Sequence, residues 1–415
     1  MHDFRYVDGV LCCEAVPLQR IAEAVGTPAY VYSKHTLQEH YRRLEEAFSG
    51  IPHFICYSVK ANSNLAVLAV LAAMGSGADI VSGGELYRAL RAGIPAQKIV
   101  YAGIGKTEEE MAYALRQDIL MFNVESETEL FALNRVAGEL GTRARIALRI
   151  NPDVDPVTHP YIATGLKEAK FGIDVEKALA VYQRAASLAH VEVLGVHQHI
   201  GSQITRVDPF HDSLEITGNF VKRLHEHGIE VKFINIGGGF GIPYGGEEVP
   251  YPLDYARAME PVLKEHRCTV ILEIGRMIVG NAGVLLTRVL YRKSGGAKNF
   301  LVVDAAMNDL MRPSLYGSYH EILPVAERER GTETVDVVGP VCETGDFLAR
   351  ERVMPRAEEG ELLAVMSAGA YGFVMSSNYN SRRRAAEVLV DGDDFAVVRE
   401  RETLEDLVRG ERALR

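Results

Sequence analysis

Between residues 55 and 275 the chain alternates eight short apolar or β-branched runs with seven longer segments whose apolar residues fall at helical spacing. The runs are "ICYSV", "ADIVS", "KIVYAG", "ILMFNV", "RIALRI", "VLGVHQHI", "FINIG" and "TVILEIG". The segments between them, such as "NLAVLAVLAAM" and "FHDSLEITGNFVKRLHEHG", can each bury one apolar helical face. Such alternation restricts the chain to parallel strands joined by helical crossovers. An eighth helix is available ahead of the first run in "SKHTLQEHYRRLEEAFSG", where Ser33 is a fitting N-cap and Gly50 a fitting stop. The expected fold is therefore α/β, a (β/α)8 TIM-type barrel over residues 34–280, close to the usual span of about 250 residues.

After Asn281 the rhythm changes. "GVLLTRVLYRK", "NFLVVDAAM", "ETVDVVGPVCETGD", "ELLAVMSAGAYG" and "AEVLVDGDDFAVVRE" are strand-like runs joined by Gly, Pro and charged turns. They predict a β-rich second domain over residues 281–415, to which "RYVDGVLCC" and "PAYVYS" from residues 1–33 add strands.

Composition excludes several classes of function. A net charge of −11, with no basic block beyond "SRRRAAEV", gives a nucleic-acid role little electrostatic basis. That short run reads as a solvated turn or a local anion contact. The beginning of the chain lacks a basic region followed by a long apolar core, and no later run is long enough to span a membrane. A cytoplasmic protein is expected. Five scattered cysteines, Cys12, Cys13, Cys56, Cys268 and Cys342, suggest neither a disulfide framework nor a CxxC metal site, and most read as buried, inert thiols.

Barrel chemistry gathers at the C-terminal ends of the strands. Lys60 follows the first run, Asp79 and Ser82 close the second, and Arg149 and Asn151 close the fifth. His197 and His199 close the sixth, Gly237, Gly238 and Gly239 follow the seventh, and Glu273 and Arg276 close the eighth. "GGGFG" does not fit GxGxxG, because Ile242 occupies its last position, but bare backbone amides can still cradle a phosphate. His197 and His199 leave two readings open, a divalent-metal site or one histidine packed in the barrel and one at its mouth. No convincing set of further ligands follows them, so no metal is expected. Together, a lysine able to form an imine, a phosphate cradle, an imidazole that can lie flat on an aromatic ring and a strand-end carboxylate are the parts that pyridoxal 5′-phosphate requires. Glu273 would pair with the pyridine nitrogen and make the ring an electron sink.

Eleven motifs in order carry a resemblance over nearly the whole chain: "YSVKANSN", "ADIVSGGEL", "LRINPDVDP", "TGLKEAKFGI", "HIGSQI", "INIGGGFGIPY", "EIGR", "RPSLYGSYH", "GPVCETGD", "GAYGFVMSSNYNSR" and "AAEVLV". In these the sequence resembles the fold-type III pyridoxal-phosphate decarboxylases, the alanine racemase-like barrel family, and among them the branch acting on diaminopimelate. The resemblance implies Lys60 as the Schiff-base lysine and His199 as the ring-stacking histidine. It also implies cofactor contacts from Asp79, Arg149, Ser202, Gly237, Gly238, Gly239, Glu273, Gly275, Arg276 and Tyr371. Substrate-binding positions are Arg276, Arg312, Tyr316, Glu343 and Tyr371, and Cys342 matches the proton donor. Because this cysteine and glutamate come from the partner subunit in the family, a homodimer with two shared active sites is implied. The implied reaction takes meso-2,6-diaminopimelate to L-lysine and carbon dioxide, the final step of lysine biosynthesis.

Both ends of such a substrate are amino acid groups. Arg312 can grip a carboxylate bidentately, Tyr316 can add a hydroxyl and Glu343 can answer an ammonium. Without the resemblance, "RPSLY" reads as a surface turn with an exposed arginine. The motifs depart from the family's usual pattern at Ile274, Gln198 and Arg383, where proline, cysteine and proline are common. The rival readings are a sister decarboxylase of ornithine, arginine, lysine or carboxynorspermidine, an amino-acid racemase, a non-catalytic carrier of the cofactor and a metal-dependent hydrolase. None of them involves nucleic acid or a membrane, and every catalytic one takes a small molecule.

Overall fold

The computed structural model describes residues 2–414 apart from 157, 160, 161, 163, 165–169 and 297. Part of the "TGLKEAKFGI" motif thus lies outside the described residues. The chain forms two compact units, one of His40–Ile242 and Glu248–Met277, the other of Met1–Glu39, Pro243–Glu247 and Ile278–Arg415.

In the first unit eight parallel strands close into a barrel: His53–Ser58, Gly77–Ile80, Ile99–Tyr101, Met121–Val124, Ala144–Asn151, Val191–His197, Phe233–Asn235 and Thr269–Leu272. Each pairs with the next, and the last pairs with the first through Val270–His53, Ile271–Phe54 and Leu272–Ile55. The eight predicted runs are thus all strands. Their inward residues include Cys56, Val100, Met121, Ala147 and Ile271, which form a buried apolar cluster. Among the described residues a helix follows each of the first seven strands, at Leu65–Ala73, Gly83–Arg91, Glu108–Arg116, Glu127–Glu139, Val175–Ser187, Asp208–Glu226 and Pro252–Glu265.

Several of these helices begin at a polar cap only a few residues beyond a strand. Asn64, Ser82, Thr107 and Ser126 each accept a backbone N–H of the first turn, and Thr107 forms a reciprocal box with Glu110. Short loops of this kind keep the strand ends close to one another at one mouth. In the sixth strand the register shifts between Val193 and Gly195. A Cβ on Gly195 would stand 2.7 Å from the Phe233 carbonyl oxygen, so only glycine lets the seventh strand approach there.

The second unit is β-rich. Its main sheet runs in the order Phe347–Pro355, Thr332–Val338, Asn299–Val303, Gly283–Ser294, Ala29–Ser33, Ala386–Asp391 and Asp394–Arg399. Ala29–Ser33, the "PAYVYS" run, lies antiparallel to Gly283–Ser294 and parallel to Ala386–Asp391. Phe4–Val7, Val10–Cys13 and Val16–Pro17 form a separate three-stranded sheet. Ser33 caps as expected: its hydroxyl accepts the Thr36 N–H at 3.0 Å, and the helix Lys34–Phe48 stops just short of Gly50. Cys12, Cys13, Cys56 and Cys268 are buried free thiols, whereas Cys342 is exposed. Among the described residues no helix is long and apolar enough to cross a membrane.

Candidate active site

The first barrel strand runs out into a single 3₁₀ turn, Val59–Ala61, and this turn carries Lys60. Its ammonium donates to Oδ2 of Asp79, at the end of the second strand, over 2.8 Å. The Ser58 hydroxyl reaches the same oxygen at 2.7 Å. Asp79 is wholly buried; burial and the nearby Glu273 carboxylate push its pKa up, while Lys60 and Ser58 oppose them.

Glu273 is shifted the other way. Burial disfavours its charge, but His197, then Lys60 and His199, hold its carboxyl well below the usual range. Asn123 and Asn235 both donate side-chain N–H groups to its Oε1, at 2.8 and 2.7 Å, and His197 Nε2 stands 3.3 Å from its Oε2. One mouth therefore holds two carboxyls shifted in opposite directions. A third carboxyl, Glu85, accepts the Val81 N–H at 2.7 Å, and burial raises its pKa to about 7.

His199 follows the sixth strand. Burial first, then the charges of Arg149 and Lys60, hold its pKa well below 6.5, so the ring is neutral. Its Nδ1 accepts the Gly238 N–H at 3.1 Å, which assigns the hydrogen to Nε2. Arg149 donates to the His199 carbonyl at 3.2 Å and to both oxygens of Glu125 at 3.3 Å.

The glycine turn is bare for a local reason. A Cβ on Gly238 would lie 2.0 Å from the Glu273 carbonyl oxygen, and one on Gly239 would lie 2.3 Å from that of Gly201. Gly237 and Gly239 also have φ of +69° and +107°. Gly275 packs where a Cβ would meet the side chains of Ala61 and Ser58 at 2.9 and 3.0 Å. Arg276 donates to the Ser202 hydroxyl at 2.9 Å. The donor set fits pyridoxal phosphate: a primary amine, a carboxylate held ionised, a neutral imidazole and a glycine turn share the strand ends of one barrel.

The remaining expected residues lie in the β-rich unit. "RPSLY" is a short helix, Arg312–Tyr316, and Arg312 is buried rather than exposed as the motif alone suggests. The guanidinium lies 4.6 Å from the centre of the Tyr244 ring, and that cover removes it from the surface. Cys342 and Glu343 are exposed on a loop fixed from both sides. Asp346 accepts the N–H groups of Val341 and Met307 at 2.7 Å each, and the Cys342 N–H donates to Asn380 Oδ1 at 2.8 Å. Ser314 donates to the Gly345 carbonyl at 2.6 Å, tying that loop to the arginine helix. Tyr371, half-buried, adopts a left-handed φ of 55°, a conformation that a bulky residue keeps only when its surroundings impose it.

Asn123, Asn235, Ser58 and Glu125 were not singled out in the sequence. All four stand at or just beyond the ends of barrel strands, and that position was the signal available. Among the described residues no group of three or more His, Cys, Asp and Glu side chains is arranged to hold a metal ion.

A closed barrel with a lysine, an ionised glutamate and a neutral histidine at its mouth defines a class, the pyridoxal-phosphate enzymes of barrel type. Residues 34–280 match the family described as pyridoxal-dependent decarboxylase, pyridoxal binding domain, and the chain belongs to that family. The diaminopimelate decarboxylase of Pseudomonas aeruginosa is 54% identical over 414 residues, covering 100% of both chains. That of Aquifex aeolicus is 50% identical over 404 residues, 97% of this chain and 96% of the relative. The crystal structure of diaminopimelate decarboxylase from M. jannaschii in co-complex with L-lysine superposes with a TM-score of 0.95 at 39% identity, covering 100% of this chain and 99% of that one. Within the family, the chain sits among the diaminopimelate decarboxylases.

Proposed function

We propose that this chain decarboxylates meso-2,6-diaminopimelate to L-lysine and carbon dioxide with pyridoxal 5′-phosphate as cofactor. The observation that carries the reading is full-length identity of about half to diaminopimelate decarboxylases. The Lys60, Asp79 and Glu273 cluster supplies the chemistry that such a function needs. We assign cofactor binding to residues 34–280, and substrate selection and dimer formation to residues 1–33 and 281–415.

Lys60 would hold the cofactor through Nζ, Glu273 would accept a hydrogen bond from its ring nitrogen, and His199 would lie against the ring. Gly237, Gly238 and Gly239, Ser202 and the Gly275–Arg276 turn would take its phosphate, with Arg149 holding the His199 backbone and Tyr371 as a further cofactor and substrate contact. When bound, the cofactor supplies an electron sink for the pair left on the α-carbon as carbon dioxide departs. The chain's own residues do the rest. Asp79 holds the Lys60 amine in place. Arg312 and Tyr316 bind the distal carboxylate, Glu343 binds the distal ammonium, and Cys342 Sγ delivers the proton that replaces the lost carboxylate.

The exposure of Cys342 and Glu343 on a single chain supports a homodimer in which each subunit gives these residues to its partner's site. We place the reaction in the cytoplasm. The test is carbon dioxide release by the purified, cofactor-loaded protein from meso-diaminopimelate, lysine, ornithine and arginine. Release from diaminopimelate alone, falling to background in Lys60→Ala, is expected. Release from another of these amino acids instead would transfer the chain to a sister activity.

A further inference from the structure

The surroundings of Arg312 are more specific than burial of a cation requires. His320, itself wholly buried, has Nε2 2.8 Å from Arg312 NH1 and Nδ1 2.8 Å from the Met366 carbonyl oxygen. A guanidinium only donates and a carbonyl only accepts. The ring therefore carries its hydrogen on Nδ1 and accepts at Nε2, which makes it a neutral imidazole in one assigned tautomer. Tyr244 completes the clamp, with its face 4.6 Å from the guanidinium carbon and its ring set edge-on to His320 at 5.2 Å and 78°. The backbone is pinned as well, because Arg352 donates to the His320 carbonyl at 2.7 Å.

We propose that His320 is a positioning residue for substrate selection, fixing the plane of the Arg312 guanidinium so that it reads a carboxylate at the far end of the substrate. The inference rests on the role given to Arg312 above. Arginine grips a carboxylate through a planar fork, so a guanidinium free to rotate would lose the directional part of that recognition. A carboxylate in the place of His320 would orient Arg312 equally well but would cancel its charge. A neutral acceptor orients it without itself cancelling that charge.

Two substitutions separate this role from a structural one. In H320N the short amide keeps a donor for Met366 but withdraws the acceptor from Arg312, whereas the longer amide of H320Q reaches the position of Nε2. Calorimetry on the full-length, cofactor-loaded proteins would compare L-lysine, which keeps a carboxylate at one end, with 1,5-diaminopentane, which has none. Wild type should prefer L-lysine. H320N should lose about tenfold or more of that preference with diamine binding unchanged, and H320Q should recover most of it.

An unchanged preference in H320N would overturn the proposal, as would equal losses for both ligands, no preference in wild type, or failure of both variants to accumulate as loaded protein. The substrate reading fails separately, through absence of carbon dioxide release from diaminopimelate by wild type.

Discussion

Glu273 and Asp79 share a buried barrel mouth, and their neighbours drive them in opposite directions. The two asparagine donors on Glu273 Oε1 do not depend on its charge, since an amide oxygen accepts equally well. Glu273→Gln should therefore keep the fold and bind the cofactor, while kcat falls by roughly 10²–10³, the scale seen when one preorganised electrostatic group is removed. Steady-state carbon dioxide release set beside a cofactor titration checks this; a parallel loss of cofactor affinity would make shape, not charge, the contribution of Glu273. Lys60, Glu273 and the glycine turn were legible because each stands out at a strand end. Asn123 and Asn235 were not, since "FNV" and "INI" look like ordinary strand ends. Their meaning arises only when barrel closure brings the fourth and seventh strands onto one carboxylate of the eighth.

At the scale of elements, the turn that leads into the helix Arg312–Tyr316 is built on Asp309. Its Oδ2 accepts the Ala306 N–H at 3.0 Å, and its backbone carbonyl accepts the Tyr30 hydroxyl. Burial raises its pKa from 3.8 to about 7, against the Ala306 bond and the charge of Arg382, with Asp304 adding to the rise. A carboxyl with a raised folded pKa stabilises fully below its unfolded value and loses that contribution as pH climbs through the folded value. Between pH 3.8 and about 7 the β-rich unit should thus give up as much as roughly 4 kcal/mol at this position. Asp309→Asn keeps the acceptor and removes the titration. Thermal melts should show the variant more stable than wild type at pH 8, with the difference shrinking toward pH 4; parallel curves would refute the assignment. The same region shows where sequence reading stops. "RPSLY" contains nothing that announces burial, because the Tyr244 cover and the His320 contact come from outside the motif. The barrel strands were readable since apolar runs and polar caps are local signals, whereas the order of strands in the β-rich sheet depends on pairings between distant segments.

For the whole molecule, the proposal that each site draws Lys60 from one subunit and Cys342 from the other has a direct consequence. Lys60→Ala and Cys342→Ala homodimers should each be severely impaired. After dissociation and remixing, half of the dimers would be mixed, each with one intact site, so activity should return to about a quarter of wild type. No recovery after verified exchange would place both residues in one chain's site.

The parallel pairing of Ala29–Ser33 with Ala386–Asp391 also sets a timetable for synthesis. The barrel can close once Thr269–Leu272 has left the ribosome, but the strand made long before it must wait for its last neighbour until the ribosome has passed residue 391. A message cut short in its final stretch would leave Ala29–Ser33 with Gly283–Ser294 on one side and an unpaired edge on the other, the kind of edge on which a second unfinished chain can add.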